Sequence, residues 1–353
     1  MNATRSVIDF DDVDGLFQAD REGLLRAASS AGAHVRAVAS AVGEGVLESV
    51  AGARPRTLIW LAGRGTAATA GRLLAALLGE ATGQPIVLAS GAPPWIGPLD
   101  VLVVAGDDPG DPALAAAVST AARRGARVVV AAPFEGPLRD AAAGRAAVLA
   151  PRLPVNDAFG LCRYVAAGLA TVSAVDPGVR VDIGALADEL DAEALRSSAA
   201  REVFTNPAKA LADRMLSRRV VFAADSAAPL ALAHHASALM LRVAGELASA
   251  AALADVVAAM RAGLLRAGDP VDALFHDEEL DGPLPDRFRV LALTVNAERS
   301  VVAARTSGFD DVDLVGAEDV SNGSPGVGGV EQQVCVLAVR LEMAAVYVRL
   351  VRG

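Results

Sequence analysis

A short apolar run at 57–62 (TLIWLA) closes on Gly63-Arg64-Gly65-Thr66-Ala67-Ala68, and a helical stretch follows to about residue 78. Gly63, Gly65 and Ala68 fit G-x-G-x-x-A, the turn that holds a dinucleotide pyrophosphate. A dinucleotide site also needs an acid at the end of the next strand to hold the ribose. That place reads Ala89-Ser90-Gly91-Ala92, so the nicotinamide reading loses its support and no cofactor is assigned. What survives is a tight turn feeding a helix N-terminus, with backbone amides beside the hydroxyls of Thr66 and Thr69 and the charge of Arg64. Such a turn can cradle an anion or phosphate. The same residues also make an ordinary strand-to-helix turn with Thr66 as its cap. The third strand delivers Gly106-Asp107-Asp108-Pro109-Gly110-Asp111 to the same sheet edge, where open α/β sheets hold ligands. Carboxylates there suit a hydroxylated or cationic ligand and would repel a phosphate. A solvated turn with Asp111 at a helix start is the competing reading.

The remaining chemistry is sparse. Cys162 and Cys335 lie far apart without C-x-x-C spacing, and no histidine pair has metal-ligand spacing, so neither a disulfide framework nor a metal site is expected. Lys209 is the only lysine among 32 basic residues, against 42 acidic ones, for a net charge of −10. That balance argues against a general nucleic-acid or anionic-membrane partner. Aromatic residues make up 4%, too few for base-stacking platforms. The first fifteen residues carry one arginine, then acids, and no apolar core of a secretory signal. Apolar stretches are interrupted by charge well before a spanning length of about 18 residues. A cytoplasmic chain with no membrane partner is the expectation.

These residues must be positioned by a chain of 353 residues that is 53% hydrophobic, which is long enough for two α/β domains. Residues 15–50 read as helix. Short apolar runs at 57–62, 85–89, 100–105 and 126–132 alternate with helical stretches, and a weaker strand at 146–150 closes the first cycle. Such alternation predicts a parallel sheet covered on both faces. A helical bridge spans 157–198, then a helix at 206–217 has Pro207 in its first turn. A strand at 219–223, helices at 227–247 and 253–267, strands at 288–294 and 312–315, and a closing helix at 330–350 make a second cycle. Residues 318–329 read as a glycine-rich loop. The expected domains are a helical segment at 1–50, an α/β domain at 51–152, the bridge at 153–200 and a second α/β domain at 201–353.

Residues 19–25 (ADREGLL), Gly65-Thr66, 121–130 (AARRGARVVV), 206–212 (NPAKALA) and 342–353 (EMAAVYVRLVRG) together resemble tandem sugar isomerase (SIS) domains. The closer resemblance is to the bifunctional phosphoglucose/phosphomannose isomerase family, in particular its actinobacterial TobH-type branch, and it covers most of the chain. It implies two SIS-like α/β domains behind an N-terminal helical segment, a homodimer, and a sugar phosphate held by Arg64, Gly65, Thr66, Thr69, Asp107, Asp108 and Lys209. The chain departs from the family where Asp107 and Asp108 replace a hydroxyl-rich phosphate loop. It also departs where residues 246–252 (ELASAAA) replace a Glu–Leu–Asn–His–Asn stretch, and at the tail, which lacks the family's C-terminal lysine.

Isomerisation of the kind the resemblance implies, between glucose or mannose 6-phosphate and fructose 6-phosphate, moves a proton between C1 and C2 through an enediol. It needs a base and donors for the developing oxyanion. The base candidates are Glu246, His234, His235 and His276. Adjacent helical residues face about 100° apart, so at most one of His234 and His235 faces a given site. Glu246 and His235 are taken as the catalytic pair. The alternative is a catalytically inactive sugar-phosphate-binding or regulatory protein of the same fold.

Overall fold

Five strands bury nearly every residue they contain: β1 (Thr57–Leu61), β3 (Asp100–Ala105), β4 (Arg127–Ala131), β6 (Arg219–Ala224) and β8 (Phe288–Leu293). Continuous apolar runs of this kind are what a sheet covered on both faces requires. The computed structural model describes residues 8–154, 156–265, 287–318 and 329–352. The other strands are β2 (Ile86–Ala89), β5 (Ala146–Val148), β7 (Ala248–Ala252) and β9 (Val312–Val315). The helices, in chain order, are α1 (Val13–Ala19), α2 (Leu24–Ala28), α3 (Ala31–Gly43), α4 (Gly65–Leu78), α5 (Pro112–Arg123), α6 (Gly136–Ala142), α7 (Leu161–Val175), α8 (Ile183–Arg196), α9 (Pro207–Met215), α10 (Ala227–Leu239), α11 (Leu253–Arg261), α12 (Arg299–Thr306) and α13 (Gly329–Arg352).

The chain divides into two units. One contains residues 26–195 and 329–339, and its sheet runs β2-β1-β3-β4-β5. Every pairing is parallel, with Ile59 opposite both Val87 and Leu102. The winding reverses between β1 and β3, so a crevice opens at the carboxyl ends of those two strands. On one face α4 and α3 pack against α7. A Cβ at Gly168 would stand 2.1 Å from Leu74 Cδ1, so α4 and α7 approach too closely there for any side chain.

The other unit contains residues 8–25, 196–265, 287–318 and 340–352, around a parallel sheet of order β7-β6-β8-β9. Its winding reverses between β6 and β8. The α/β class with parallel sheets flanked by helices is thus as the sequence predicts, while several elements differ.

The helix expected over 15–50 is three helices. Asp20 breaks it by accepting the amides of Leu24 and Leu25 at 2.7 and 3.0 Å, and Gly23 takes φ +67. The helix expected over 227–247 ends at Leu239, passes through a π turn at Met240–Ala244, and stops at Gly245 with φ +71. Residues 248–252 (ASAAA) then form β7, an edge strand that residue type conceals, because alanine favours helix and only pairing to β6 holds it extended. The bridge over 157–198 is a 3₁₀ turn followed by α7 and α8. His276, and residues 319–328 of the glycine-rich loop, lie outside the described residues.

Candidate functional site

At the carboxyl end of β1 the chain turns through Arg64 in extended conformation (φ −159, ψ 175) and Gly65 at φ +63 into α4. The side chain of Arg64, the N-cap residue, makes no capping hydrogen bond. The first-turn amides of α4, carrying the positive end of the helix dipole, therefore face the crevice. The expectation that Thr66 caps the helix is corrected, because the N-cap residue is Arg64. Thr66 and Thr69 are both buried, and their hydroxyls donate inward, to the carbonyls of Asp157 (3.3 Å) and Gly65 (3.4 Å). They brace the turn, and the amides and Arg64 are left to meet a ligand.

The loop after β3 stands beside it, and a Cβ on Gly63 would lie 3.8 Å from Asp111 Oδ2. Asp111 caps α5 by accepting the Ala113 amide at 2.8 Å, and Asp108 Oδ1 accepts the Gly110 amide at 2.8 Å. Asp108 Oδ2 lies 3.9 Å from Arg64 Nη2, both side chains being largely exposed. Asp108 thus has one oxygen on the Gly110 amide and the other near Arg64, and Asp107 is exposed beside it.

Two residues that sequence reasoning missed stand behind this edge. Arg163 is buried, and its guanidinium reaches the carbonyls of Leu149 and Ala131 at 3.4 and 3.5 Å, at the ends of β5 and β4. It lies 4.3 Å over the ring of Tyr164. Burial pushes the Arg163 pKa down and that of Tyr164 up, with Asp107 adding to the latter. A guanidinium held in the interior contributes positive field to an edge that otherwise carries acids. The one signal for it in the sequence is an arginine inside an otherwise apolar helix.

In the other unit, the carboxyl edge of β6, β8 and β9 is closed by its own ion pairs. Arg305 pairs with Asp225, Arg299 with Glu318, and Arg340 donates to the Gly316 carbonyl at 2.8 Å. A cavity of about 240 Å³ lies beside the end of β9, with Arg214, Glu318 and Arg340 among its lining residues.

Lys209, His235 and Glu246 all belong to this second unit, and the unit that carries the glycine turn contains none of them. The charge of Lys209 is withdrawn from solvent. Its ammonium is fully buried and donates to the carbonyls of Ala199 (2.8 Å) and Arg201 (2.7 Å), 3.8 Å from Asp11 Oδ1 and 5.7 Å from the centre of the Tyr347 ring. Burial lowers its pKa, and Asp11 opposes that shift. Asn206 caps α9 through the amides of Ala208 and Lys209, so residues 206–209 act as a fastener. His235 is buried, with Nε2 3.2 Å from Glu342 Oε1, and Glu342 Oε2 has no partner among the described residues. Burial raises the Glu342 pKa, against the pull of His235. His234 is exposed. Glu246 precedes β7, at the edge where the strands of this sheet begin, and pairs with Arg352.

No protein-family model matches the chain, and no curated protein does. Solved structures do. Tagatose-6-phosphate ketose/aldose isomerase from Escherichia coli is 17% identical, with 99% of this chain and 96% of that chain covered at a TM-score of 0.58. A protein provisionally assigned as a phosphosugar isomerase from Silicibacter pomeroyi is 14% identical over 91% of this chain and 95% of that chain, with a TM-score of 0.63. A glucose-6-phosphate isomerase like protein from Thermus thermophilus is 20% identical over 98% and 96%, with a TM-score of 0.55. Among the described residues no helix is long and apolar enough to cross a membrane. The likeness spans both sheets and their helices, and the chain has the fold of these sugar isomerase structures.

Proposed function

We propose that the chain binds a sugar phosphate at the carboxyl edge of the β1–β5 sheet. In this reading the phosphate sits on the first-turn amides of α4 beside Arg64, and the sugar hydroxyls face Asp107 and Asp108. The observation that carries it is the uncapped first turn of α4 at the point where the winding reverses. The buried Arg163 supports it by offsetting the acids. Thr66 and Thr69 hold the turn in shape, and Lys209 holds the second unit together. Kinship with the TobH-type branch of the bifunctional phosphoglucose/phosphomannose isomerases, a homodimeric state and a cytoplasmic address are parts of the same proposal.

Binding without turnover is the reading the side chains favour. His235 is sealed against Glu342, and Glu246 is tied to Arg352 at the strand-start edge. Aldose–ketose isomerisation of glucose or mannose 6-phosphate to fructose 6-phosphate is the second reading, and the named isomerases of like fold favour it. A coupled assay on fructose 6-phosphate separates the two. A ligand-induced rise in melting temperature without turnover supports binding alone. Turnover supports the isomerase, and neither result in the presence of millimolar ligand removes both.

A further inference from the structure

The strand-start edge of the β6–β9 sheet carries a cleft of about 820 Å³ that the preceding reading does not use. We propose that this cleft binds a small, multiply charged phosphate-bearing anion, at a site separate from the glycine turn. Three guanidiniums line it: Arg242 from the π turn, and Arg349 and Arg352 from the last turn of α13. Arg349 is held by Glu22 and donates to the Val243 carbonyl at 3.3 Å, and Arg352 is held by Glu246. These two side chains are fixed in place before any ligand arrives, which lowers the ordering cost of binding. Arg242 is exposed and has no partner among the described residues, so its fork of donors is uncommitted.

With Glu22 and Glu246 counted against the three arginines, the cleft keeps one positive charge in a chain of net charge −10. Planar guanidiniums bind phosphate oxygens two at a time, which favours a phosphate group over a single-point anion. Two local distortions shape the cleft. Arg242 stands within the π turn, and Ser217 lines the cleft at φ +54, a left-handed conformation costly for serine. Its hydroxyl also has no partner among the described residues. The cleft lies where β6 and β7 begin, whereas the ligand crevice of such sheets lies where strands end. The cleft is therefore independent of whether the glycine turn binds sugar phosphate.

The probe is inorganic pyrophosphate, titrated calorimetrically into the full chain. Wild type is expected to bind it, more weakly as salt is raised. Arg242→Glu is expected to lose about tenfold or more in affinity, with an unchanged melting temperature because Arg242 is exposed and unpaired, while Arg242→Lys keeps part of the affinity. The Arg64→Ala, Gly65→Ala double variant should bind the probe as wild type does. No binding by wild type at millimolar pyrophosphate overturns the proposal. So do equal affinities in wild type and Arg242→Glu, or loss of binding in the Arg64→Ala, Gly65→Ala double variant, which would move the anion to the other site.

Discussion

The two sheets wind in the same sense about their first strand, yet their carboxyl edges are built oppositely. At the β1–β5 edge the helix enters uncapped after a glycine at φ +63, Arg64 and Asp107 are exposed, and the balancing guanidinium of Arg163 is hidden beneath. At the β6–β9 edge the charged groups cancel one another, with Arg305 on Asp225 and Arg299 on Glu318. That unit spends its distinctive residues on its interior: Lys209 on two carbonyls, His235 on Glu342, Tyr347 on the Ser197 carbonyl at 2.7 Å. One architecture, present twice, thus carries two different arrangements of charge at its carboxyl edge. Residue type alone does not separate the two uses. How much of an arginine or aspartate is left for a ligand depends on how many of its donors or acceptors its neighbours already occupy.

The largest effect is expected at Lys209. Lys209→Ala removes the donor from two buried carbonyls and leaves a void, and should cost about 3–5 kcal/mol in urea unfolding. A loss below about 1 kcal/mol with weakened sugar-phosphate binding would instead make Lys209 a ligand group. Gly65→Ala comes next, because an L side chain at φ +63 is strained. It should cost about 1–2 kcal/mol and abolish the ligand-induced melting shift by re-aiming the amides.

Glu342→Gln tests the sealed pair through its pH dependence. Because burial raises the folded-state pKa of Glu342, the carboxyl stabilises the fold while it is protonated. That contribution is lost as pH rises through the raised value. The variant does not titrate there, so its stability relative to wild type should climb as pH rises above the ordinary carboxylate range. A flat difference would mean the carboxyl is not held in the interior. The smallest effect is expected at Asp107→Asn. Stability should change by less than about 0.5 kcal/mol, and affinity for inorganic phosphate should rise by about 1 kcal/mol or less as a solvated acid is removed.

Much of the fold could be read from the sequence, because β1, β3, β4, β6 and β8 each hold at least four consecutive apolar residues. β7 could not, since ASAAA carries no strand preference of its own. The glycine turn and the acid loop were legible as local patterns, and the structure brings them to one edge. The burial of Lys209 and the pairing of His235 with Glu342 were not, because each depends on partners that only the fold supplies, the latter 107 residues apart in the chain. Arg163 and Tyr164 escaped notice for the same reason, as their neighbours are carbonyls at the ends of distant strands. Residues 206–209, which carried much of the family resemblance, proved to be a helix cap and an internal fastener.

The most direct test of the central claim is calorimetric titration of fructose 6-phosphate into wild type and into the Arg64→Ala, Gly65→Ala double variant, with folding of each checked by circular dichroism. Binding by wild type that falls by about tenfold or more in the folded double variant is the expected result. Equal binding by both proteins would contradict the account and move the sugar phosphate away from the glycine turn.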